Sequence, residues 1–356
     1  MMDQVHRILG KAVSGERLTE QEGVTLLGSD AFLPLGKAAY IARRQRHPEG
    51  VVTFVIDRNI NYTNVCLSRC RFCAYYRDES ATDAFVLTYD QVLDKVRELL
   101  EVGGTQLLIQ GGLHPHLDLD YYLGMLNAIK SRYQVHIHSF SPPEIVHLAR
   151  RSGKSVKETL AVLQAHGLDS LPGGGAEILV DRVRREISPH KISWEEWMDV
   201  MLQAHSLGMR TTATMMFGTC ETLEERVRHL VRLRDAQDRT GGFTAFIPWT
   251  FQPMNTELGS AGATAVDYLK MLAVSRLMLD NFDNIQASWV TQGPKVAQVA
   301  LAFGANDFGS TMLEENVVRA AGAAYRVPLD EILRVIRDAG FRPAQRNTGY
   351  AIIRYH

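Results

Sequence analysis

The chain has 356 residues, is 46% hydrophobic, and balances 39 Lys and Arg against 40 Asp and Glu for a net charge of -1. That length suits one large globular domain or two ordinary ones, and the balance lacks the basic excess of a nucleic-acid binder. Charges at Asp3, Arg7, Lys11, Glu16 and Arg17 interrupt any secretory apolar core, and no apolar run reaches bilayer length, so the expectation is a cytoplasmic protein without a membrane partner.

Residues 1–50 read as a helical preface, with a capping box at Thr19/Glu22. A β-branched run, Val51–Ile56, predicts the first strand. Further capping boxes at Thr88/Gln91, Ser155/Glu158, Ser193/Glu196 and Thr222/Glu225 open helices, and Gly103, Gly167 and Gly208 stop three of them. Between the helices, Gln106–Gln110, Val135–Phe140, Ala176–Asp181, Thr211–Phe217, Phe243–Pro248, Ile285–Trp289 and Ala305–Phe308 predict buried parallel strands. Eight strands alternating with helices over 51–308 predict an α/β fold, a (β/α)8 TIM-type barrel of the usual ~250 residues. A doubly wound open sheet shows the same alternation, so the barrel rests on the strand count. Residues 309–356 read as a C-terminal extension packed on the barrel, a helical tail closing with the extended stretch Tyr350–Tyr355.

Three of the four cysteines, Cys66, Cys70 and Cys73, share one short segment in C-x3-C-x2-C spacing. Three thiolates on one loop can ligate three irons of a 4Fe-4S cluster and leave the fourth iron open for a small molecule. A structural zinc site usually presents two ligand pairs instead, and no His lies within ten residues of the triplet. In a barrel the chemistry sits on the loops after the carboxyl ends of strands. The cysteine loop, Gly111-Gly112, Ser139–Glu144 and Asp181-Arg182 all follow predicted strands and so gather at one end. Cys220 follows another and reads as structural. Glu177, inside an apolar run, is costly to bury unpaired, which favours a functional partner.

The triplet, with Phe72 before its last cysteine, resembles the signature of the radical S-adenosylmethionine (SAM) enzymes. The resemblance implies a three-cysteine 4Fe-4S cluster whose open iron binds SAM, and reductive cleavage of SAM to a 5'-deoxyadenosyl radical. It implies that Phe72 lies against the adenine and that Gly111 and Gly112 approach the methionine amino group, with Leu113 standing where the family usually has Glu. Glu177 is the best match for the acidic ribose contact and Glu144 the second.

Asn61–Cys66, Gly111–Pro115, His136–Glu144, Gly173–Leu179 and Gly242–Gln252 narrow the resemblance to the futalosine-pathway and deazaflavin-precursor branch. Gln286–Val290 and Phe303–Asn316 are most similar to members that cyclise dehypoxanthine futalosine in menaquinone biosynthesis. That chemistry implies hydrogen abstraction at ribose C4', carbon–carbon bond formation to the benzoate ring, and loss of an electron and a proton. It also implies a low-potential electron donor such as ferredoxin or flavodoxin. Candidate bases are His138, Asp181 and Thr214, each equally able to be a satisfied structural group. Trp249, Gln252, Ser288 and Asn306 are candidates for the substrate pocket. The rival readings are an aminofutalosine or deazaflavin-precursor synthase, a zinc-binding barrel, and an electron carrier.

Overall fold

Apolar and β-branched runs become strands wherever helices cover them. The computed structural model describes residues 2–259, 261–323 and 325–356. Its strands are β1 (Val51–Val55), β2 (Asp57–Ile60), β3 (Gln106–Ile109), β4 (His136–Ser139), β5 (Ser170–Leu171), β6 (Arg210–Phe217), β7 (Phe243–Thr250), β8 (Asn284–Ile285), β9 (Asp307–Ser310), β10 (Arg342–Arg346) and β11 (Ile352–Tyr355). Strands β2 to β8 form a parallel sheet in chain order. Only Ile56 separates β1 from β2, so one extended stretch serves two sheets. β1 pairs in parallel with β9 and β10, and β11 joins β10 antiparallel.

The ring closes beside β8. Asn306 N–H donates to the Ile285 carbonyl at 3.1 Å, and Ala287 N–H to the Asp307 carbonyl at 2.9 Å. β9 thereby stands between β8 and β1, and the parallel strands run round a barrel as the alternation predicts.

All five capping boxes form: Thr19, Thr88, Ser155, Ser193 and Thr222 each accept from the amide three residues on, while that residue's side chain accepts from the cap amide. Gly103, Gly167 and Gly208 adopt positive φ of 75°, 109° and 79°, which only glycine takes without steric cost.

Three expectations need correction. Ala176–Asp181 is not a strand; β5 lies earlier, at Ser170–Leu171, and Asp181 opens the helix Asp181–Ile187. The 176–180 stretch takes only one bond from a neighbouring strand, the Met216 amide to the Glu177 carbonyl at 3.1 Å, and leans on side chains for others. Arg184 donates to the carbonyls of Gly175 and Ala176 at 3.1 and 2.7 Å, and His229 Nδ1 accepts from the Leu179 amide at 3.0 Å. Of Ile285–Trp289, only Ile285 is strand, and Trp289 begins the helix Trp289–Ala302. The tail is not purely helical, for after the helix Leu329–Asp338 it supplies β10 to the sheet.

Candidate active site

The cysteine loop leaves the carboxyl end of β2 and is pinned on several sides. Leu67 N–H donates to the Leu113 carbonyl at 3.0 Å, Arg71 N–H to the Ile187 carbonyl at 2.9 Å, and Glu257 N–H to the Arg71 carbonyl at 2.9 Å. Neighbouring loops at the barrel mouth thus fix its path. Cys66, Cys70 and Cys73 all line a cavity of about 420 Å³, within the usual range for a small-molecule site.

The donor set fits an iron–sulfur cluster. The Leu113 amide donates to Cys66 Sγ at 3.3 Å, and the amides of Tyr75 and Tyr76 donate to Cys73. Amide donors on sulfur are the contacts by which proteins stabilise cluster thiolates. Burial pushes the Cys70 thiol up to about 12, against the pull of nearby Lys191. A thiol so buried needs a metal's charge to ionise. Among the described residues no three His, Cys, Asp or Glu side chains are grouped to hold a single metal ion.

The glycine pair has a structural reason of its own. A Cβ on Gly111 would lie 2.5 Å from the Tyr62 ring, and one on Gly112 only 2.1 Å from the Val65 carbonyl oxygen. The second contact is backbone, so any side chain there would push the cysteine loop away from the β3 loop.

Two buried carboxylates flank this pair. Glu144 accepts from Tyr62 Oη at 2.7 Å, from the Gly111 amide at 3.1 Å, and from Ser141 Oγ. Burial raises its carboxyl to about 7 despite these donors. Glu177 sits at φ 42°, in the left-handed region. Its Oε1 accepts from Lys191 Nζ at 3.0 Å and its Oε2 lies 3.5 Å from Arg184 Nη1. That Oε2 has no hydrogen-bond donor among the described residues. Lys191 Nζ also stands 5.1 Å from the Phe72 ring centroid. Phe72, Gly111, Gly112, Glu144, Glu177 and the three cysteines therefore border one space.

His138, Thr214, Trp249 and Ser288 line the same cavity. Thr214 Oγ1 donates to the Gly173 carbonyl at 2.6 Å, which commits its proton. Asp181, Gln252 and Asn306 are not brought to the cavity. Asp181 accepts from the Trp194 amide at 3.0 Å, tying two helix starts together. Gln252 turns back on the Thr250 carbonyl at 3.1 Å. Asn306 is buried, accepting from Arg276 at 2.6 Å and donating to Asn284 at 2.8 Å across the barrel closure.

The sequence reading passed over several lining residues. Asp57 interrupts an apolar strand, a signal that was available. Burial raises its carboxyl to about 6, and it accepts from Ser310 Oγ and, at 3.1 Å, from Gln106 Nε2. Lys191, Glu315, Arg346 and Tyr350 come from loops or the C-terminal tail, where no periodicity marks them. Cys220 is exposed and away from the cavity.

Comparison with known proteins agrees with this geometry. Residues 60–233 match the Radical SAM superfamily, and 240–355 match the CofH/MqnC C-terminal region. A cyclic dehypoxanthine futalosine synthase of Halalkalibacterium halodurans is 50% identical over 98% of this chain and 94% of its own. A 5-amino-6-(D-ribitylamino)uracil–L-tyrosine 4-hydroxyphenyl transferase of Methanococcoides burtonii is 42% identical over 94% of this chain and 96% of its own. The crystal structure of a methylornithine synthase superposes with a TM-score of 0.75 at 20% identity, covering 95% of this chain and 97% of that one. At that identity it speaks for the fold alone.

Proposed function

The chain belongs to the radical SAM superfamily, in the branch sharing the CofH/MqnC C-terminal region, and on that premise we propose that it cyclises dehypoxanthine futalosine in menaquinone biosynthesis. One observation carries the reading: three thiols of a single loop border a cavity large enough for a nucleoside substrate, in a chain half identical to a cyclic dehypoxanthine futalosine synthase.

Cys66, Cys70 and Cys73 would hold the cluster, with Phe72, Gly111, Gly112, Glu144 and Glu177 around SAM. Together these groups supply, when bound and reduced by a ferredoxin- or flavodoxin-type donor, a 5'-deoxyadenosyl radical able to take hydrogen from substrate C4'. Every other requirement falls on the chain. Glu177 and Lys191 pair at 3.0 Å next to the cysteine loop, where each can hold a zwitterionic or hydroxylated ligand. Trp249 and Ser288 contribute an aromatic wall and a hydroxyl to the substrate side. Apolar walls and barrel depth exclude water, which would quench nothing but would compete for polar contacts and let the substrate swing out of line. Restoring aromaticity to the substrate ring requires loss of an electron and a proton, so a proton acceptor must face the cavity.

The test is anaerobic reconstitution with iron and sulfide, followed by incubation with SAM, a strong reductant and dehypoxanthine futalosine deuterated at C4'. Deuterium is expected in 5'-deoxyadenosine together with the cyclised product. Unlabelled 5'-deoxyadenosine would remove the C4' assignment. Turnover of 5-amino-6-(D-ribitylamino)uracil with tyrosine, and none of the futalosine, would place the chain with the transferases instead.

A further inference from the structure

Two histidines on β4, His136 and His138, converge on one hydroxyl. His138 Nδ1 lies 2.6 Å from Ser170 Oγ, and His136 Nε2 lies 2.7 Å from the same atom. The arrangement follows from strand periodicity and register, because i and i+2 share a face and His138 stands opposite Ser170 across the β4–β5 ladder. Ser170 and His138 are buried, whereas His136 is only half-buried. His136 lies at the amino-terminal end of β4, within electrostatic reach of Asp169 and Lys130, whose side chains are 33% and 30% exposed. His138 lines the cavity, and its Nε2 has no protein partner among the described residues.

A serine hydroxyl has one proton to donate and lone pairs to accept. Placed between two imidazoles, it accepts from one ring and donates to the other. A hydrogen-bonded chain therefore runs from the cavity, through a buried hydroxyl, to a ring at the far end of the barrel.

We propose that His138, Ser170 and His136 form a relay that carries the ring proton out of the cavity during rearomatisation, an inference that rests on the cyclisation reading above. As the ring carbon–hydrogen bond breaks, its proton goes to His138 Nε2. The Nδ1 proton of His138 passes to Ser170 Oγ, and the Ser170 hydroxyl proton passes to His136 Nε2. The electron leaves separately, to a one-electron oxidant of the iron–sulfur class. His136, now cationic near Asp169, releases its proton to solvent, and His138 is left at the end of the turnover as the neutral Nε2–H tautomer. Both rings must begin as neutral Nδ1–H tautomers. Burial holds His138 far below the ordinary imidazole range, at about 3, so it starts neutral and passes a proton on rather than keeping it.

Among the carboxylates on the cavity wall, Asp57 takes donors on both oxygens, from Ser310 and Gln106, as do Glu144 and Glu315, while Glu177 stands against Lys191 beside the cysteine loop. Thr214 is a neutral hydroxyl whose one hydrogen bond goes to the Gly173 carbonyl, a group that cannot pass a proton onward. His138 lines the cavity, keeps one ring nitrogen without a protein partner among the described residues, and has an onward path through Ser170.

The experiment compares His138→Gln, Ser170→Ala and Ser170→Thr, reading the ratio of cyclised product to 5'-deoxyadenosine along with deuterium transfer from C4'. His138→Gln and Ser170→Ala are expected to keep deuterium transfer while the product ratio falls about 100-fold. Ser170→Thr, which retains the hydroxyl, restores the ratio. A ratio unchanged in Ser170→Ala overturns the relay. Absence of deuterium transfer in the unsubstituted enzyme overturns the cyclisation reading itself, a different failure with a different signature. A second readout needs no turnover: in the full-length chain labelled with 15N-histidine, both rings should show the Nδ1–H tautomer, with Ser170→Ala shifting the nitrogen resonances of both. An Nε2–H tautomer at His138 overturns the proposal.

Discussion

Cys70 and Cys220 carry the same side chain in opposite surroundings. Cys70 is buried beside Lys191 on the cavity wall, while Cys220 is exposed outside it. Cys70→Ala should abolish bound iron after reconstitution, and Cys220→Ala should leave it unchanged; loss of iron in the second variant would undo the three-thiol assignment. Glu144 makes a prediction in pH. Its carboxyl rises from 4.5 to about 7 in the folded chain, so in that window the folded state holds a proton that the unfolded state has released. Stability from this group is present at low pH and lost as pH rises through about 7, by roughly 2–3 kcal/mol. In denaturant unfolding at pH 5 and pH 8, the wild type should lose roughly 2–3 kcal/mol relative to Glu144→Gln on going to the higher pH. Parallel curves would mean that Glu144 is not the group that titrates.

At the scale of elements, legibility followed from where the backbone hydrogen bonds go. β3, β4, β6 and β7 satisfy theirs in ladders, so their alternation and β-branched content suffice to find them. The capping boxes are also local, three residues apart, and all five formed. The 176–180 stretch was misread because its partners, Arg184 and His229, are fixed only after the helices have docked. Its apolar run reads like a strand for the same reason, since both are buried. The site was legible to the same extent: the cysteine loop and glycine pair are contiguous motifs, whereas Lys191, Arg346 and Ser170 reach the cavity or its relay only through tertiary structure. Asp181 belongs to this scale too. By accepting from the Trp194 amide it joins the start of one helix to the start of the next. Asp181→Ala should lower unfolding stability by about 1 kcal/mol while sparing deuterium transfer from C4'. Loss of that transfer in a folded variant would return Asp181 to the chemistry.

The molecule as a whole joins its last strands to its first through a buried ion pair. Arg346, at the end of β10, donates through Nη2 to Asp307 Oδ1 at 3.0 Å and through Nε to Oδ2, where both side chains are almost fully buried. Asp307 also accepts from Thr53 on β1, so one carboxylate links β1, β9 and β10 at the barrel closure. Beyond Arg346 the tail turns under the barrel. Thr348 Oγ1 donates to Gln106 Oε1 at 2.6 Å, at the amino-terminal end of β3. Arg346, Thr348 and Tyr350 consequently line the same cavity as the cysteines, from its opposite end. Segments more than 270 residues apart in the chain thus form the two ends of one site. Removing Arg346 alone leaves Asp307 charged in a dry setting, which costs roughly 3–5 kcal/mol. Removing both charges together avoids that penalty. Arg346→Met should therefore destabilise strongly in urea unfolding, and Arg346→Met with Asp307→Asn should recover a large part of the loss. If the double variant is as unstable as the sum of the two single ones, the pair does not act as a unit, and the tail is held by its strand pairing alone.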